Sequence, residues 1–92
     1  MPPAPSPEFI AQIERKLSER LAASEVTLSD DGARHIGHAQ AAGRFHLRLR
    51  IVSARFAGLA PVARHRLVYD ALAEELAGPI HALNINALAP GE

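Results

Sequence analysis

Five histidines stand at positions 35, 38, 46, 65 and 81 of a chain that has no cysteine, and imidazoles without thiols narrow the chemistry open to them. His35 and His38, three residues apart among the glycines of "DGARHIGHAQAAG", could put two imidazoles on one metal ion. Zinc takes three or four ligands, however, and the loop holds no third nearby. His46 falls on the polar side of an alternating segment, where a solvated cross-strand partner is its simplest role. His65 falls on an apolar helical stripe, where a hydrogen-bonded, half-buried imidazole is expected. His81, in "GPIHALNINA", shares strand parity with Leu83 and Ile85, so it is expected to face the helices too. His65 and His81 are then neighbours at one end of the helix layer. There they form either a satisfied core pair or a free ring nitrogen offered to a ligand.

The lack of cysteine removes disulfides, thiolate nucleophiles and any cysteine-ligated centre built from this chain alone. A soft metal would have to borrow its thiolates. No glycine-rich phosphate loop follows a strand, and the adjacent Asp30 and Asp31 point to opposite faces of an extended segment, so no paired-acid site arises. A non-enzymatic role is expected. Charge is segregated: seven arginines (Arg34, Arg44, Arg48, Arg50, Arg55, Arg64 and Arg66) and no acid lie between Gly32 and Tyr69, while the flanks are acidic and the net charge is zero. An anionic partner for the middle of the chain is one reading, and mixing of the signs in space is the other. Arg64, His65 and Arg66 open a helix whose second half carries Asp70, Glu74 and Glu75, the reverse of what the macrodipole favours. That end would suit a phosphate or a carboxylate-rich ligand such as glutathione, although Arg66 and Asp70, four apart, could simply pair on the surface.

The elements that must position these residues follow from patterning. Residues 1–7 are proline-rich and read as a disordered leader ending in a helix start, with Ser6 as N-cap, Pro7 at the first helical position and Glu8 in the first turn. Phe9, Ile10, Ile13, Leu17 and Leu21 form one helical stripe. "SEVTLSDD" alternates as a half-buried strand, residues 31–43 form a long loop, and "RFHLRLRIVS" alternates strictly, with Phe45, Leu47, Leu49 and Ile51 on one face. From Pro61 a second helix carries Val62, His65, Val68, Tyr69, Leu72 and Leu76 as its stripe, until Gly78 and Pro79 stop it. The last strand runs from Ile80 to Asn86 or Ala87. Helix, strand, strand, helix, strand, with a helical crossover into the last strand, implies an α/β (α+β) sandwich: a three-stranded mixed sheet covered on one face by helices. One domain over residues 8–89 with a short tail at 90–92 accounts for the chain. No apolar run approaches the ~20 residues of a membrane span, and the N-terminus lacks a signal-peptide core or transit-peptide character. The cytoplasm is the default compartment.

The stretch from Phe45 to Pro90 resembles the second half of BolA-family proteins. His46, Val52-Ser53, the Phe56-x-Gly58 turn, Arg64-His65-Arg66, Leu72 to Leu76 and Ile80-His81-Ala82-Leu83 carry the likeness, which extends back through Asp30, Asp31 and His35 to the first helix. The resemblance implies a fold similar to the class II K-homology (KH) arrangement, and a helix-turn-helix-like segment around Phe56 to Leu76. It also implies partnership with a monothiol glutaredoxin of the Cys-Gly-Phe-Ser (CGFS) type, together with glutathione, through a shared [2Fe-2S] cluster that the isolated protein does not hold. By the same resemblance His81 is a cluster ligand, the loop supplies a second as His35 or alternatively His38, and Arg64, His65 and Arg66 line the docking end. Some relatives are described as transcriptional regulators. For DNA the resemblance points to Arg48, Arg50, Arg55, Arg64 and Arg66. Leu59 replaces the basic residue often found after Phe-x-Gly, which weakens a DNA surface, and Leu47 replaces a common phenylalanine. The Gly-x-x-Gly signature of KH domains is missing, which argues against their mode of RNA binding.

Overall fold

A computed structural model describes residues 5–30 and 45–92, with the backbone alone at His81. Helix α1 (Pro7–Arg20) is capped by the Ser6 hydroxyl, which accepts from the Phe9 N–H, as the Ser-Pro-Glu start requires. Strands β1 (Ala23–Asp30) and β2 (Phe45–Ser53) pair antiparallel. After a three-residue 3-10 turn, Ala54–Phe56, come α2 (Pro61–Ala71), α3 (Ala73–Ala77) and β3 (Ile80–Leu88). Strand β3 lies parallel to β2, giving the mixed order β1-β2-β3. The expected element order and sheet therefore hold. The loop expected over residues 31–43 and the first four residues of the expected leader lie outside the described residues.

One apolar cluster forms the core on the helix side of the sheet. It takes Ile13, Leu17 and Leu21 from the first helix and its end, Leu47, Leu49 and Ile51 from β2, Phe56, Val68 and Leu72 from the crossover, and Ile80 from the start of β3. The opposite face carries Arg48, Arg50, Asn84 and Asn86 to solvent, so among the described residues the helices cover one face.

Three details differ from the sequence patterning. The second helix is broken at Leu72, whose ψ of 22° leaves the helical range between α2 and α3. The stripe of α2 is also rotated, with Val62 at 68% and Tyr69 at 45% exposure. Leu67, Val68, Ala71 and Leu72 face inward together with a half-buried Arg64. An arginine whose charge is satisfied at its tip can line an apolar face with its stem, and patterning by residue type counts it as polar. Finally, Ile80 is fully buried in the core rather than on the outer face, because the β2–β3 register slips between Phe45↔Ile80 and His46↔Ala82. The additional residue in that bulge is His81. Alternation counted back from Leu83 therefore does not carry across it.

Candidate metal-binding end and arginine surfaces

The parallel register fixes which parts of the chain share an end of the sheet. Phe45 opens β2 opposite Ile80, its N–H donates to the Pro79 carbonyl at 2.7 Å, and Asp30 closes β1 opposite Leu47. The Phe45 ring packs on Phe9 of α1, with centroids 5.5 Å apart and planes tilted by 55°. The start of β3, with the backbone of His81, thus sits at the end where β1 finishes and β2 begins. The segment 31–44, which contains His35 and His38, is anchored on both sides at that end. Those two histidines lie outside the described residues. Among the described residues no three His, Cys, Asp or Glu side chains gather to hold a metal.

Helix α2 begins at the other end. It follows β2 after a short turn, and Arg64 in its first turns donates through Nη1 to the Ala87 carbonyl, near the C-terminal end of β3. Ala87 lies six residues along the strand from His81, about 20 Å at ~3.3 Å per residue. The sequence reading sets His65 beside His81 and has Arg64, His65 and Arg66 line the docking end, whereas Arg64 reaches the opposite end of β3 from His81. A crossover helix starts where its preceding strand ends, so its first turn lies over the far end of a parallel strand pair. Counting apolar positions on helix and strand gave parity but no direction.

Arg64 is also not available as a free cation. Its Nε donates to the Leu59 carbonyl at 2.9 Å, and Nη1 and Nη2 both engage the Glu92 carboxylate, leaving the arginine side chain 13% exposed. These hydrogen bonds hold the Glu92 carboxyl down to about 2, well below its usual range, with help from the Ala89 N–H, and raise the Arg64 guanidinium further. Glu92 was invisible as a partner in the sequence because it lies 28 residues away.

The other arginines are divided between surfaces. Arg48 and Arg50 are exposed on the open sheet face, where Arg50 lies 3.6 Å from Glu25. Arg55 is exposed in the 3-10 turn and Arg66 on α2. The five arginines expected to meet DNA therefore do not make one continuous cationic face. His46 is half-buried on β2 and His65 half-buried on α2.

Comparison with known proteins agrees with this architecture. The profile of the family described as BolA-like protein matches residues 17–92. The chain is 46% identical over 83 residues to BolA-like protein 1 of Mus musculus, covering 89% of this chain and 58% of that protein. It thus spans little more than half the length of the mammalian relatives it matches. Among solved structures, the BolA domain of SufE1 from Arabidopsis thaliana superposes with a TM-score of 0.78 at 39% identity, covering 95% of this chain and 96% of that one. The solution structure of BolA1 from Mus musculus gives 0.76 at 44% identity, over 96% and 69% of the respective chains.

Proposed function

The chain belongs to the BolA-like protein family, and from that premise we propose that it is a non-enzymatic accessory protein that shares a [2Fe-2S] cluster with a CGFS-type monothiol glutaredoxin and its glutathione. His81 and a loop histidine, His35 or in its place His38, are the ligands this chain contributes, in iron–sulfur trafficking or iron sensing. One observation supports the reading above the others: the topology anchors the segment of His35 and His38 at the same end of the sheet as the start of β3. The donor set is consistent with it. A chain without cysteine offers imidazoles only, so thiolates must come from the partner, and ligation by two histidines on one iron raises a cluster's reduction potential. Protons compete with the metal for each imidazole, so the assembly weakens in acid.

Arg64 has no part in docking at this end, since its guanidinium is committed to Glu92 and two carbonyls. His65 and Arg66 follow it in the first turns of α2. Among the described residues no helix is long and apolar enough to cross a membrane, and the reading places the protein in the cytoplasm, where glutathione is kept reduced. DNA binding through Arg48, Arg50, Arg55 and Arg66 draws less support, because these residues are spread over different surfaces.

The test is to combine the protein with a CGFS-type glutaredoxin, glutathione, iron and sulfide. A heterodimer is expected whose visible absorption and circular dichroism differ from those of the cluster-bridged glutaredoxin homodimer. His81→Ala, checked for folding by far-UV circular dichroism, is expected to abolish that signature. An unchanged spectrum in the variant would sink the assignment.

A further inference from the structure

The two edges of the sheet are built differently. On the β1 edge the Leu28 N–H is taken by the Glu14 carboxylate of α1 at 3.2 Å, the strand carries Glu25 and Asp30, and a bulge interrupts it between Ala23 and Glu25. Charges, bulges and covering side chains are the usual means of blocking edge-to-edge pairing. The β3 edge is almost bare of them. Over "IHALNINAL" it has neither a charged residue nor a proline, and it pairs with β2 alone among the described residues. Its own interruptions lie near its ends, at the bulge beside His81 and at Ala87, whose carbonyl accepts from Arg64. Between them, residues 82–86 form an uncharged, regular strand.

We infer that this edge pairs with itself: a second copy of the chain adds its β3 antiparallel, across a two-fold axis at Asn84, to make a six-stranded sheet. The lack of charge along the edge lets the strand meet its own copy, and parity sets the register. Exposed Ala82, Asn84 and Asn86 share the open face, while half-buried Leu83 and Ile85 share the helix side. A two-fold at Asn84 sets Leu83 against Ile85 twice on the helix side, Ala82 against Asn86 twice on the open face, and Asn84 against its own copy. Each pair joins residues of the same face, and the two Asn84 amides can each donate to and accept from the other. A register displaced by one residue would set Asn84 against Ile85 and lose that match. Because the strand is uncharged, no like charges meet across the axis, and the isologous geometry closes at two copies without leaving a β3 edge for further growth. Five paired residues make a small interface, of the weak and reversible class.

The absence of cysteine gives a direct test. Asn84→Cys introduces a single thiol, which in the dimer faces its own copy. Directly opposed residues of an antiparallel pair have Cα atoms about 4.5 or 5.5 Å apart, inside the disulfide range of about 4.4–6.8 Å. Under a glutathione redox buffer Asn84→Cys is expected to yield a covalent dimer in high proportion, whereas Thr27→Cys, exposed on β1, is expected to remain monomeric. Sedimentation velocity of the unaltered chain should show a concentration-dependent dimer. Asn84→Lys, which sets two cations together on the axis, should abolish it while leaving the far-UV spectrum and the melting transition of the monomer in place. A chain that stays monomeric at every concentration, with no excess of cross-linking at Asn84 over Thr27, overturns the inference. So does a dimer that survives Asn84→Lys.

Discussion

In the first turns of α2, Arg64 makes four hydrogen bonds: to the Leu59 carbonyl, to the Ala87 carbonyl and twice to Glu92. Its charge was legible in the sequence, and so was its position at an end of the helix poor in acids. Its commitment was not, because the Ala87 and Glu92 acceptors lie 23 and 28 residues away in the chain. The Glu92 side chain, 43% exposed, gives the pair a measurable pH dependence. Its carboxyl titrates near 2 in the folded state against an ordinary value of 4.5. The unfolded chain therefore binds more protons between those values, and stability rises with pH across that window. The stabilisation of the unaltered chain over Glu92→Gln is thus expected to be fully present at neutral pH, to fall as the pH drops through 4.5 and to vanish toward 2. Urea titrations of both proteins at a series of pH values check this.

Among the elements, the strict alternation of β2 and the Ser6-Pro7 start of α1 were legible because each is decided within a few residues. The break at Leu72 and the bulge at His81 were not, since both are decided by packing against neighbours that are distant in sequence. The end of α1 carries a local cost that the sequence hides. Ala22, one residue beyond the Leu21 cap, adopts φ 49°, the left-handed conformation that usually goes to glycine. An L-residue there costs about 1–2 kcal/mol, while a glycine adds about 0.4–1 kcal/mol of chain entropy to the unfolded state. The first term is larger, so Ala22→Gly is expected to stabilise the protein by up to about 1 kcal/mol. A small rise in melting temperature is the readout, and a fall would show that the turn relaxes around alanine. At Gly58, φ is +77° and the space about the missing Cβ is open, so the Phe-x-Gly turn needs its glycine for conformation and not for room.

For the molecule as a whole, a single core ties both helix segments to the sheet, and Phe56, fully buried in the crossover, sits within it. Truncating a buried phenylalanine to alanine costs about 3–5 kcal/mol, a large share of the 5–15 kcal/mol that ordinarily holds a domain together. Phe56→Ala is expected to lose that much in denaturant titration and still unfold in one transition, because no second core exists among the described residues to melt separately. The whole-molecule order was readable from patterning, since a helical crossover between paired strands leaves few arrangements. Which end of the sheet each residue occupies was not, and that distinction separates His81 from Arg64. The bond between Arg64 and Glu92 has a practical side as well. It holds the chain at Glu92 beside the start of α2, at the opposite end of β3 from His81. A fluorophore or an engineered contact placed around Glu92 therefore sits near Ala87, about 20 Å along β3 from the proposed cluster ligand, and leaves the proposed partner face uncrowded.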